Sequence, residues 1–111
     1  MRQKPATLGE FELLVMLAVM GLDEAAYPVS IAADIEQRTR RSASRTSVLI
    51  TLERLEDKEL VTSWYGEPTP QRGGRPKRFF KVKPRGIQAV RDSLERIETM
   101  TAGLKSLLRA K

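Results

Sequence analysis

The chain begins with a segment that is apolar on almost every face of a helix. Its apolar residues are Phe11, Leu13, Leu14, Val15, Met16, Leu17, Ala18, Val19, Met20 and Leu22. A helix with this pattern is buried on more than one side, so it either lies wholly in the core or also touches a second subunit. Thr7 and Glu10 have the spacing of a capping box, which predicts that the helix begins beside them.

Two shorter helices follow, each with one apolar face. Pro28 suits the first turn of the second helix, and Ser44 can cap the third. Their apolar residues have helical spacing: Ile31, Ala32 and Ile35 in the second helix, and Val48, Leu52 and Leu55 in the third. Leu60 continues this seam. The opposite face of the third helix carries Thr46, Ser47, Ile50, Glu53 and Arg54, with Arg45 on its flank.

Two strand-like runs, 60–65 and 78–83, are separated by a segment rich in proline and glycine, which is typical of a β-hairpin. One ring of each aromatic pair should face the core. For the pair Phe79 and Phe80 the pattern leaves open which ring it is. For the other pair the simplest interpretation packs Trp64 beneath the hairpin, with Tyr65 outward. The alternative is an aromatic ligand pocket built from these rings.

Pro84 is well placed to begin a last helix. Its apolar seam has alternating steps of three and four: Ile87, Val90, Leu94, Ile97, Thr101, Leu104 and Leu108. Such a seam is typical of a coiled coil, here on one helix about 38 Å long. We therefore expect these residues, together with Phe11 of the first helix, to form a homodimer interface.

The order of elements predicts a mainly α fold with a small β-hairpin. Three helices, a hairpin and a further helix form a winged helix-turn-helix over residues 1–83, followed by a C-terminal dimerisation helix over residues 84–111. In this arrangement the third helix presents its N-terminal polar face to the major groove of DNA, and the hairpin reaches the backbone beside it.

The distribution of charge agrees with a DNA partner. The net charge is +6, and residues 71–85 contain seven cations and no acid. A second basic cluster, at Arg38, Arg40, Arg41 and Arg45, lies beside the start of the third helix. Cations at both places would neutralise phosphates. The expected DNA-binding residues are Arg41, Ser44, Arg45, Thr46, Ser47, Ile50, Arg54, Arg72, Arg75, Lys77 and Arg78.

The types of these side chains suggest separate roles. Arg45 can bond guanine, Thr46 and Ser47 can bond bases or phosphates, and Ile50 can meet a thymine methyl group. A buried position in the core or an interface is the other interpretation of Ile50. Glu53 would repel phosphate unless it reads a cytosine amino group or pairs with Arg54, so we expect only the first turns of the helix to enter the groove.

The sequence lacks the side chains that several classes of function commonly use. The chain has no cysteine and no histidine, so common metal sites and the commonest general acid–base are missing. We expect no enzyme activity, no cofactor and no metal. The apolar stretch 13–20 is too short to span a bilayer, and Glu10 and Glu12 interrupt a signal-peptide pattern, which predicts a cytoplasmic protein without a membrane partner.

The sequence resembles the PadR family of winged-helix transcriptional regulators over about residues 8–100. The resemblance rests on segments 27–31, 51–61, 66–70 and 84–86. It also rests on Arg72-Gly73-Gly74-Arg75 in the wing, which is the hairpin of residues 60–83. It implies a homodimeric repressor of the short subgroup, with one C-terminal helix, that acts on a pseudo-palindromic operator. A small-molecule effector is compatible with the family and is not identified by the sequence.

The chain departs from the family pattern at four positions. Leu49 stands where many relatives have a tyrosine that can contact DNA, and Thr46 and Pro28 stand where glycine is common. Lys83 replaces a common threonine before the last helix. The alternative function is a winged-helix module that binds another protein and has no specific affinity for DNA. Salt-dependent binding to duplex DNA distinguishes the two.

Overall fold

The computed structural model describes residues 7–68 and 75–110, and within these ranges it has the predicted order of elements. The helices are α1 (Glu10–Leu22), α2 (Pro28–Thr39), α3 (Arg45–Asp57), α4 (Pro84–Thr101) and α5 (Lys105–Arg109). The strands are β1 (Val61–Tyr65) and β2 (Arg78–Val82), and a short 3₁₀ turn (Asp23–Ala25) follows α1. The prediction of a mainly α winged helix-turn-helix is confirmed.

Helix α1 lies at the centre of the core, as its apolar pattern predicts. It contacts α2, α3, α4 and β2, and its buried residues are Leu13, Val15, Met16, Ala18 and Val19. The predicted capping box at Thr7 is wrong. The helix is capped by Gly9, whose backbone N–H donates to the Oε1 atom of Glu12 at 2.8 Å, and Glu10 is paired with Arg41.

The two strands form an antiparallel hairpin that closes the core on one side. Val61 pairs with Val82, and Trp64 pairs with Phe79. Phe80 is fully buried, and its backbone N–H donates to the Ala26 carbonyl at 2.9 Å. This bond joins the hairpin to the segment just before α2.

The aromatic pairs follow the prediction only in part. Phe80 is the inward ring of its pair, as alternation requires. The placement of Trp64 beneath the hairpin is wrong: its side chain is exposed and stacks on Phe79, with ring centroids 6.0 Å apart. Tyr65 is exposed too. Neither ring of β1 faces the core, because Trp64 pairs with Phe79 on the face opposite Phe80 and Tyr65 lies at the end of the strand.

Helix α4 begins at Pro84 as predicted, and a close approach fixes its first turn. A Cβ atom at Gly86 would overlap the Leu60 carbonyl oxygen and lie 2.7 Å from Cγ1 of Val82. Only glycine fits there without a shift of the backbone. The position therefore locks the last helix onto the end of the hairpin.

The prediction of one continuous last helix is wrong. Helix α4 ends at Thr101, and Gly103 has a φ of +82°. A left-handed residue ends an α-helix, and glycine adopts that conformation without strain. The chain then resumes as the separate short helix α5. No helix within the described residues combines the length and the apolar character that a membrane span requires.

Candidate nucleic-acid interface

The turn between α2 and α3 is held by side chains of α2. Arg40 ends α2 in the left-handed region, with a φ of 62°. The Oε1 atom of Glu36 accepts the backbone N–H of Ala43 at 2.9 Å, and Oγ1 of Thr39 accepts the backbone N–H of Arg41 at 3.0 Å. These bonds fix the direction in which α3 leaves the turn. The role of Glu36 was not predicted, because a carboxylate that serves a turn has no periodic signal in the sequence.

Helix α3 is divided into a buried face and an exposed face, as its sequence predicts. Val48, Leu52 and Leu55 have no exposed surface. Its exposed residues include Arg45, Thr46, Ser47, Ile50, Glu53 and Arg54. Ile50 is 46% exposed, so the core interpretation of this residue is wrong. Leu49 is half-buried against the core.

The N-terminus of α3 has the properties of an anion-binding end. Ser44 is the N-cap, and its Oγ atom accepts the backbone N–H of Ser47 at 3.0 Å, as predicted. The first turn contains no acidic residue and begins with Arg45. A helix N-terminus carries a partial positive charge and free N–H groups, which attract phosphate.

The exposed cations of the wing lie beside the strands. Arg75 and Lys77 are both exposed. The Lys77 carbonyl accepts the backbone N–H of Gly66 at 2.8 Å, which extends the hairpin beyond the last strand pair. The Lys77 ammonium lies 4.5 Å from the centroid of the Tyr27 ring. Arg72, the remaining predicted cation of the wing tip, lies outside the described residues.

Arg78 is in a different environment from these cations. Its Nη2 atom lies 2.6 Å from Oε1 of Glu56, and its Nη1 atom lies 3.4 Å from Oε2 of Glu53. Both carboxylates belong to α3. The expected phosphate contact of Arg78 therefore competes with ion pairs inside the protein. The sequence left open whether Glu53 pairs with Arg54 or reads a cytosine, and in the structure it pairs with Arg78.

Arg41 is also engaged within the protein. Its Nη1 atom lies 2.8 Å from Oε1 of Glu10, and its guanidinium lies 5.0 Å from the centroid of the Phe11 ring. Arg41 thus joins the turn before α3 to the first turn of α1. An exposed ion pair of this kind is weak and can exchange for a phosphate.

The residues expected at the dimer interface are in three situations. Val90 is 3% exposed and belongs to the core of the chain itself, so it is not available to a partner. Leu94 and Ile97 are 43% and 53% exposed, Ile87 is exposed as well, and Phe11 and Thr101 are half-buried. Leu104 and Leu108 are exposed but lie beyond the break at Gly103.

The outer aromatic rings line a cavity on the far side of the hairpin. Its volume is about 360 Å³, and its lining residues are Asp23, Glu24, Trp64, Phe79 and Lys81. Phe79 also meets Tyr27 edge to face, with centroids 5.7 Å apart. Trp64 therefore has an aromatic partner although it lies outside the core. In the described part of the chain, no cluster of three or more carboxylate, imidazole or thiol side chains is arranged to hold a metal.

Comparison with known proteins gives a likeness of structure without a match of sequence. No protein-family model matches the chain, and no curated protein matches it. A PadR family transcription regulator from Clostridium difficile has a TM-score of 0.70 at 18% identity, over 90% of this chain and 99% of that one. A PadR family transcriptional regulator from Eggerthella lenta has a TM-score of 0.66 at 20% identity, over 92% of this chain and 88% of that one.

One similar structure contains nucleic acid. PadR of Bacillus subtilis in complex with operator DNA has a TM-score of 0.64 at 16% identity, over 76% of this chain and 46% of that one. The resemblance to PadR-like regulators that the sequence indicates is thus confirmed as a likeness of fold.

Proposed function

We propose that this chain is a sequence-specific transcriptional regulator that binds double-stranded DNA. The observation that carries the proposal is the capped, acid-free N-terminus of α3, which exposes Arg45, Thr46 and Ser47. In a winged helix-turn-helix this end of the third helix enters the major groove. The fold shared with a PadR protein bound to operator DNA supports the same function.

The exposed side chains have separate roles in DNA recognition. Arg45 is suited to a bidentate contact with guanine, and Ile50 can pack against a thymine methyl group. Thr46, Ser47 and Arg54 bond bases or backbone from the same face. Arg75 and Lys77 of the wing contact phosphates, which adds affinity that does not depend on sequence.

We further propose that two copies bind together. Leu94 and Ile97 leave an apolar stripe on α4 that a second copy would cover, and Ile87 and the half-buried Phe11 would add to that interface. A two-fold dimer places its two recognition helices in successive major grooves about 34 Å apart. Such a protein acts on a pseudo-palindromic operator in the cytoplasm, as a repressor, without catalytic activity. A small-molecule effector is not needed for this mechanism.

The test of DNA binding uses the exposed cations of the wing. The double variant Arg75→Ala with Lys77→Ala should weaken binding to every duplex. It should also lower the slope of log affinity against log salt by about 1.8 for each protomer bound, because each phosphate contact contributes about 0.9. Fluorescence anisotropy with labelled duplex at several salt concentrations measures both quantities.

The control removes two cations elsewhere. Arg91→Ala with Lys105→Ala removes the same number of positive charges from α4 and α5, which lie outside the helix-turn-helix and the hairpin. Its salt slope should stay unchanged. Selection of bound sequences from random duplex DNA then tests specificity, and two half-sites one helical turn apart are expected. If the unsubstituted protein shows no salt-dependent duplex binding, the alternative of a protein-interaction module replaces the proposal.

A further inference from the structure

Arg78 joins the hairpin to α3 through two ion pairs and makes a third polar contact within the hairpin. Its guanidinium pairs with Glu56 at 2.6 Å and with Glu53 at 3.4 Å. Its Nε atom donates to Oγ of Ser63 at 3.2 Å, and the Ser63 hydroxyl in turn donates to Oε2 of Glu56 at 2.7 Å. One side chain of β2 therefore holds two carboxylates of α3 and one hydroxyl of β1.

The surroundings of Arg78 strengthen its pair with Glu56, whereas the Glu53 side chain is 54% exposed. The side chain is 24% exposed, and the side chain of Glu56 is 31% exposed. The guanidinium lies 5.0 Å from the centroid of the buried Phe80 ring and 5.9 Å from that of Tyr65. Ion pairs that are partly shielded from water and share several hydrogen bonds are stronger than exposed pairs. Arg78 would therefore lose more interaction energy on turning to a phosphate than an exposed cation such as Lys77 would.

The pairing also removes an electrostatic obstacle. Glu53 and Glu56 are one turn apart on α3, and Glu53 is on the exposed face. Two uncompensated carboxylates close to the DNA backbone would repel it, because salt screens charges only partly at separations below the Debye length of about 8–10 Å. Arg78 leaves one net negative charge in this group instead of two.

We infer that Arg78 is a positioning residue of the DNA interface rather than a DNA contact. It offsets one of the two carboxylates that it contacts on α3 and fixes the hairpin against that helix, so that Arg45 and the wing cations reach one duplex together. This inference rests on the proposed function and changes the role that the sequence predicts for one wing cation.

A double-mutant cycle separates positioning from contact, since coupling between two sites appears only when they interact. The affinity for one duplex is measured for the unsubstituted protein, Arg78→Gln, Glu53→Gln with Glu56→Gln, and all three changes together. Arg78→Gln should weaken DNA binding about tenfold in the unsubstituted background, because the charge-assisted contact between the hairpin and α3 is lost and both carboxylates are left unpaired. When both carboxylates are gone it should weaken binding only about as much as Lys77→Gln does, because Arg78 then has no α3 partner and acts as one more exposed cation.

The matched control is Lys77→Gln, which removes a neighbouring cation that faces the Tyr27 ring rather than a carboxylate. Its loss of affinity should be the same in both backgrounds. Arg78→Lys keeps the charge but not the forked contact and should bind with intermediate affinity. The emission of Trp64, the single tryptophan, together with thermal unfolding, shows whether each variant keeps its hairpin. If Arg78→Gln does not fold, Arg78→Lys replaces it in the double-mutant cycle.

The outcomes are distinct. An equal loss of affinity for Arg78→Gln in both backgrounds would overturn the inference and indicate a direct DNA contact. No loss of affinity in either background would overturn it too and would mean that Arg78 has no role in binding. An unsubstituted protein without duplex binding would refute the proposed function itself.

Discussion

The two halves of α4 have opposite relations to the rest of the chain. In the first half, Gly86, Ala89, Val90 and Ser93 are buried against the domain. In the second half, Leu94, Ile97 and Met100 are 43%, 53% and 77% exposed. The apolar periodicity runs through both halves without a change, so periodicity alone does not distinguish a residue that holds the fold from one that meets a partner.

The difference shows how one helix can serve two purposes. The first half is close to Leu60 and Val82 and completes the winged helix. The second half extends past the domain, where an exposed apolar stripe on a soluble surface is typical of an interface. Substitutions in the first half should therefore change the stability of the fold, and those in the second half should change the association of two copies.

The largest effect is expected from charges in the second half. Leu94→Glu with Ile97→Glu should raise the dimer dissociation constant by about a hundredfold or more, because each change buries an unpaired carboxylate in the proposed interface. Sedimentation velocity over a range of concentrations measures this. Gln88→Glu with Thr99→Glu adds the same charge on the opposite face of α4 and should leave association unchanged. Equal sedimentation of both variants and the unsubstituted protein would remove the stripe from the interface.

A smaller effect is expected from crowding in the first half. Gly86→Ala should lower the free energy of unfolding by about 1–3 kcal/mol, because the added methyl group meets the Leu60 backbone and the hairpin must shift. Urea unfolding measures the change. Gly21→Ala is the control, since its Cβ would lie 3.6 Å from the nearest atom, an ordinary contact with Arg38. Unchanged stability of Gly86→Ala would show that the helix is not locked to the hairpin there.

The smallest effect is expected beyond the helix break. Leu104→Gln with Leu108→Gln should weaken association by less than about fivefold, because the turn at Gly103 takes both residues off the seam and their burial adds less than about 1 kcal/mol. The same sedimentation experiment measures it. A loss as large as that of the Leu94 and Ile97 variant would mean that α5 continues the interface in the dimer.

Much of the fold was predictable because its signals are local. The buried face of α3, the Ser44 cap and the start of α4 at Pro84 each follow from residues within one or two turns of the chain. The break at Gly103 also had a local signal, since glycine after a helical run is typical of a C-terminus. The heptad-like spacing of Leu104 and Leu108 concealed it.

The sequence by itself determined the order of the elements, the faces of the helices and the places where cations concentrate. Only the tertiary structure decided which cations remain available to a partner. Lys77 and Arg78 are neighbours in the chain, yet Lys77 is exposed and Arg78 is held by Glu56, 22 residues away. Hydrophobic periodicity reports how one segment meets the core, whereas the partner of a charge depends on which segments meet, and that is set by the packing of the whole chain.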